Sequence, residues 1–177
     1  MIAIALLALI AQVASPLPSP SPQASPTPAA VALYPVAPPP GWEQESAPNA
    51  PGRFTILAFF AGPAVGDFRP NINVLRDALA DSSETLDQRV GETLDAYHMN
   101  GAKVLKHHRE RVCNGTRDGW YFEVAAHYSG RDVVLEQTLV LDGGFEYVAT
   151  YTRANGTGAD TPATKALDTL CPPVASP

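Results

Sequence analysis

The stretch WYFEVAAHYSGRDVVLEQTLVLDGGFEYVATYTR, running from Trp120 to Arg153, decides the fold. Side chains along a strand alternate between its two faces. Trp120, Phe122, Val124, Ala126 and Tyr128 therefore share a face of one strand, Val133, Leu135, Leu139 and Leu141 a face of the next, and Phe145, Tyr147, Ala149 and Tyr151 a face of a third. Between the runs stand Ser129-Gly130 and Asp142-Gly143-Gly144, residues that tolerate positive φ and so close hairpins. An antiparallel meander follows. The opposite faces carry Glu123, Glu136, Thr138, Glu146 and Thr150 mixed with Val134, Val140 and Val148. Such a face is expected to be only partly wet, with another element over it.

Lys103 to Val112 adds a fourth strand-like run to the meander, through the turn residues Asn114-Gly115 and Asp118-Gly119. Before it the period changes. Leu86, Val90, Leu94 and Tyr97 recur at helical spacing, which predicts an amphipathic helix over 84–100. Asp81 with Glu84 three residues on resembles a capping box, and Asn100-Gly101 supplies a left-handed stop. Phe54 to Phe60 and Asn71 to Leu75 read as two earlier strands, turned by Gly62, Pro63 and Gly66. A last short helix is announced by Thr161 as N-cap and Pro162 at the first helical position, with Ala163, Ala166, Leu167 and Leu170 on one side. The order β-β-α-β-β-β-β-α places the chain in the α+β class, with a central antiparallel sheet sandwiched by helices.

The first forty residues hold no Asp, Glu, Lys, Arg or His. Ile2 to Ala14 has the length of a secretory h-region and falls short of the roughly 20 residues a membrane helix needs. Residues 1–15 are read as a signal peptide, with an uncleaved anchor as the alternative. No cysteine follows the apolar run to carry a lipid. Residues 16–40, mostly Pro, Ser and Ala, cannot bury enough apolar area to offset ordering entropy and read as an extended spacer. Residues 41–177 are then the folded domain, a common single-domain size.

All 12 basic and 18 acidic residues fall in that domain, and its net charge of -6 opposes a general nucleic-acid role, which needs a basic face. The balance suits a soluble monomer. Two cysteines in an exported chain point to a disulfide between Cys113 and Cys171; the competing readings are two buried thiols or a redox pair, which favours closer spacing.

Pro39-Pro40-Gly41-Trp42, the Phe54 strand, Phe68-Arg69-Pro70-Asn71-Ile72-Asn73-Val74, the amphipathic helix, and a meander ending in Tyr147-Val148-Ala149-Thr150-Tyr151 before a last helix resemble the PsbP-like α/β/α sandwich superfamily, including its exported DcrB-like bacterial members. The likeness spans roughly residues 39–171. It implies helices on both faces of the sheet and little chemistry, because the superfamily is mostly binding and accessory proteins. The spacer and the cysteine pair favour an exported bacterial member.

Candidate chemistry is sparse. His107 and His108 are adjacent on a strand and point to opposite faces, so they cannot grip one metal from a regular backbone. His98 near a helix end suits the dipole there. His127 lies where Glu123 could pair with it, but no nucleophile motif accompanies them. Lys103, Lys106, Arg109 and Arg111 share one strand beside a helix bearing Asp81, Glu84, Asp87, Glu92 and Asp95. The strand is a candidate docking surface for an acidic partner, against the simpler reading of a charged, pairing-resistant edge. Asn114-Gly115-Thr116 and Asn155-Gly156-Thr157 match the glycosylation sequon and are read as turns. The sequence thus predicts a secreted or periplasmic binding or accessory protein for a protein, lipid or small ligand, with no catalytic, cofactor or metal residues. The alternative is a small cystatin-like or nuclear-transport-factor-like enzyme built around His127 and Glu123.

Overall fold

The computed structural model describes residues 35–47 and 54–172. The signal-peptide reading, and the spacer reading up to residue 34, lie outside the described residues. Seven strands form one antiparallel sheet: β1 (Glu43–Gln44), β2 (Thr55–Ala61), β3 (Asn71–Ala78), β4 (Lys103–Val112), β5 (Arg117–Tyr128), β6 (Arg131–Asp142) and β7 (Phe145–Ala154). Helix α1 (Leu86–Met99) lies between β3 and β4 in the chain, and α2 (Thr161–Leu167) follows β7. The strand order is β1-β2-β3-β7-β6-β5-β4. The four meander strands pair in sequence because left-handed residues close each hairpin: Asn114 and Gly115, Ser129 and Gly130, Gly143 and Gly144. Both sequon segments are turns, with the Thr116 and Thr157 amides donating back to Cys113 O and Ala154 O.

The two faces of the sheet build separate cores. On one, Val90 and Tyr97 of α1 join Phe122, Val124, Leu135, Leu139 and Val148. On the other, Ala163, Ala166, Leu167 and Leu170 join Val74, Val112, Val140, Ala149 and Tyr151. The first two apolar sets read from the meander face α1, and the Phe145 set faces α2. The fold is therefore the α+β sandwich that the PsbP-like resemblance implies. Of the polar residues on the faces expected to be partly wet, Glu136, Thr138, Glu146 and Thr150 are buried and Glu123 is partly exposed.

Four details correct the sequence reading. An extra strand, β1, precedes the expected set and pairs with β2; two residues are too few to show a period. The capping box is Thr85 with Gln88, not Asp81 with Glu84: Gln88 N donates to Thr85 Oγ1 at 3.3 Å and Thr85 N donates to Gln88 Oε1 at 2.9 Å. Asp81 instead accepts from the amide and hydroxyl of Ser83, which closes a local turn and starts the helix later. The N-cap of α2 is Asp160, with Thr161 already helical and Pro162 in the first turn. The folded part also begins before residue 41. Val36 is 1% exposed within the α2-side core, and Pro35 O accepts from Cys171 N at 2.7 Å. A proline-rich composition did not prevent one valine from finding a core position.

The Tyr97 hydroxyl donates to Gln137 Oε1, whose amide nitrogen donates to Thr150 Oγ1 at 2.8 Å, forming a buried polar chain beneath α1. Burial first, and then the charge of Glu146, pushes the Tyr97 phenol well above its ordinary value. Burial, followed by Glu136 and Glu123, does the same to Tyr121. The fold thus favours both neutral phenols. Their contribution is fully present below about pH 10, the unfolded tyrosine value, and is lost as pH rises through the raised folded values. Alkaline titration should show phenolate absorbance appearing together with loss of the far-ultraviolet dichroism of the sheet. If all six tyrosines ionise near their ordinary value while the fold persists, the buried chain is not closed.

Candidate functional site

One edge of the sheet is the two-residue β1 and the other is the ten-residue β4. Among the described residues no strand pairs with the outer side of β4. Seven of its ten residues are exposed, including Leu105 at 46%. A long edge with open backbone groups is a template for another chain. What decorates it then decides which chain.

The register slips by one residue between Val104 and Lys106, so β4 carries a bulge at Leu105. Opposite Ala125 and Glu123, Lys103 and Lys106 both lie on the α2 face. Opposite Trp120 and Asp118, Arg109 and Arg111 lie on the α1 face. The four basic residues therefore share a strand but not a face. Arg109 pairs with Asp87 of α1, and Arg111 donates to Asp118 Oδ1 at 2.7 Å and to Gly115 O at 2.6 Å. The acidic helix and the basic strand, read as the two poles of one surface, thus partly neutralise each other. Lys106 Nζ stands 5.6 Å from the Tyr121 ring centroid, a cation–π contact, and no ion pair engages Lys103 or Lys106 among the described residues.

The histidines follow the strand's alternation. His107 stacks on Trp120 at 5.7 Å between centroids on the α1 face, and His108 lies 5.0 Å from the Tyr121 ring on the α2 face. Partial burial first, then Lys106 and His107, lowers the His108 value. His98 occupies the last turn of α1, as its dipole role requires. The His127–Glu123 pair does not form. His127 Nδ1 is 2.7 Å from Asp132 Oδ1 across the β5–β6 hairpin, whereas Glu123 accepts from Arg153 Nη2 at 2.9 Å. Hairpin register puts His127 directly opposite Asp132, a pairing that outcompetes a same-strand neighbour four residues away.

Behind the edge, on the α2 face, lies a charged bank. Glu136, 1% exposed, accepts from Arg153 Nε at 3.0 Å and from Thr164 Oγ1 of α2 at 2.5 Å. Glu110 accepts from Thr138 Oγ1 at 2.7 Å. Burial raises the Glu110 and Asp168 carboxyls above their ordinary values, and their mutual approach raises Glu110 further. Glu136 is fully occupied in tying α2 and β7 to the sheet centre. No group of three or more His, Cys, Asp or Glu side chains is placed to hold a metal among the described residues. Nor is any described helix long and apolar enough to cross a membrane.

Cys113 and Cys171 form the expected disulfide, with Cα atoms 4.7 Å apart. It joins the residue after β4 to the segment that follows α2, and Cys113 N donates to Asp168 O at 3.1 Å. The sequence did not reveal the bulge, the Lys106–Tyr121 contact or the Arg153 network. Each depends on which strand lies alongside, and residue types alone do not carry that information.

No family model matches the chain, and no curated protein matches it. Solved structures do. A protein of unknown function from Pseudomonas aeruginosa, PA94, matches with TM-score 0.56 at 22% identity, over 71% of this chain and 88% of that one. LpqN of Mycobacterium tuberculosis, involved in cell envelope biogenesis, matches with TM-score 0.50 at 15% identity, over 77% of this chain and 82% of that one. The cyanobacterial PsbP of Synechocystis matches with TM-score 0.44 at 14% identity, over 66% and 72%. At these identities the likeness is one of fold.

Proposed function

We propose that the chain is an exported, non-catalytic binding or accessory protein that captures an extended acidic segment of a partner protein by strand addition along β4. One observation supports the reading: among the described residues β4 is the only long sheet edge, it is exposed along most of its length, and no salt bridge engages its Lys103 or Lys106. Strand addition takes affinity from main-chain hydrogen bonds and specificity from alternate side chains. A second copy of the same edge would set lysine rows against each other, which the repulsion of like charges disfavours. An acidic strand meets the opposite situation. The disulfide and the uncharged N-terminal run support a location outside the cytosol.

The probe is a peptide of β4's length alternating Glu and Val, with its Lys and Val counterpart as control. Amide hydrogen exchange on the full chain should show protection of residues 103–112 by the acidic peptide alone. Lys103→Glu with Lys106→Glu should weaken that peptide by about tenfold or more, the scale of 1.4 kcal/mol. Equal protection by both peptides, protection elsewhere, or self-association through β4 would reject the assignment.

A further inference from the structure

Asn-Gly occurs three times, at 100–101, 114–115 and 155–156. A glycine after asparagine leaves its own amide nitrogen unshielded, because no side chain hinders approach to the neighbouring carboxamide. That nitrogen can attack the asparagine Cγ. The reaction needs a carboxamide free to turn and a glycine N–H not committed elsewhere.

The three sites differ in just these respects. Asn100 Nδ2 donates to Ala96 O at 2.8 Å, and Gly101 N donates to His98 O at 3.0 Å, so both reacting groups are held by the end of α1. Asn114 is exposed at the β4–β5 turn, and among the described residues neither its carboxamide nor the Gly115 N–H has a hydrogen-bond partner. Asn155 is exposed in the turn after β7; its own amide donates to Asp132 O, while its carboxamide and the Gly156 N–H are likewise unpartnered.

We infer that Asn114 and Asn155, and not Asn100, are sites of spontaneous covalent modification by deamidation. The Gly nitrogen forms a bond to Asn Cγ, the bond from Cγ to the side-chain nitrogen breaks, and ammonia leaves with the proton lost by the glycine amide. Water then opens the resulting succinimide at either carbonyl, giving aspartate or isoaspartate. No oxidant or reductant takes part. Each event replaces a neutral amide by a carboxylate. At position 114 the new charge arrives next to the disulfide-bonded Cys113 and beside Arg111, which already binds Gly115 O. The isoaspartyl product also inserts a methylene into a backbone turn that holds Cys113, Asn114 and Gly115 at positive φ.

The test uses the intact disulfide-bonded chain, aged at mildly alkaline pH and mapped by peptide mass spectrometry with an isoaspartyl assay. The peptides containing Asn114 and Asn155 should gain the unit mass of deamidation while the Asn100 peptide does not. In reduced chain held in denaturant, all three should convert at comparable rates, because protection at Asn100 comes from the fold. Asn100 keeping pace in the folded chain, or either of the other two staying intact there while converting in denaturant, overturns the inference.

Discussion

Replacing Arg89 by methionine should destabilise the domain by about 3–5 kcal/mol, the usual cost of stranding one partner of a buried ion pair. Arg89 lies on α1 and its side chain is 8% exposed; Glu146, on β7, is 2% exposed. Their guanidinium–carboxylate bond fastens α1 to the sheet centre. Glu92 at 3.1 Å and Glu84 at 3.8 Å complete the carboxylates around the same guanidinium. Burial opposes the charge on Arg89, but the bond to Glu146 and the attraction of its carboxylate neighbours more than offset this and raise its value above the ordinary one. Without the cation, the Glu146 carboxylate is left buried with no opposite charge beside it. The deficit is read as the shift of the denaturant midpoint against wild type at neutral pH. Arg89→Met combined with Glu146→Leu should regain most of the loss, since an apolar pair of similar volume needs no compensation. A single variant that costs under about 1 kcal/mol would mean that water reaches the pair.

That pair also shows where reading the sequence stops. The alternation in Trp120 to Arg153 identifies the strands, and the stripe Leu86, Val90, Leu94, Tyr97 identifies α1, because burial on one face leaves a period in the chain. Glu136 and Glu146 fall on the opposite faces of those strands, which the same alternation marks as only partly wet. They are buried because each meets an opposite charge or a hydroxyl from another element, and the contact is set by strand order rather than by local sequence. The basic strand illustrates the limit at the candidate site. Its residue types were legible, yet one bulge at Leu105 decides that Lys103 and Lys106 share a face, and Arg109 and Arg111 are spent on Asp87 and Asp118. Val36 makes the complementary point at the domain's start: one buried side chain outweighs the composition around it. The cysteines were legible because compartment and count constrain them without reference to register.

Removing the disulfide, by Cys113→Ser with Cys171→Ser or by reduction, should cost about 4 kcal/mol, the chain-entropy value for closing a loop of this length. The bridged residues are 58 apart in sequence. The loss should fall unevenly. Helix α2 has seven residues, too few for a helix to persist without tertiary support. Its support comes from Ala163, Ala166 and Leu167 in the core, from Thr164 on Glu136, and from the bridge at its far end. The same corner holds Cys113 N on Asp168 O, and Cys171 N on Pro35 O, which retains Val36 in the core. Opening the bridge therefore weakens α2 and the Pro35–Val36 segment together, while the β5–β6–β7 ladder keeps its hydrogen bonds. Hydrogen exchange on the reduced chain should show residues 161–170 opening at lower free energy than the central strands, a separate unit under native conditions. In the oxidised chain the two regions should open closer together. If reduction leaves the denaturant midpoint unchanged, or α2 stays as protected as β6, the bridge is not what holds that helix against the sheet.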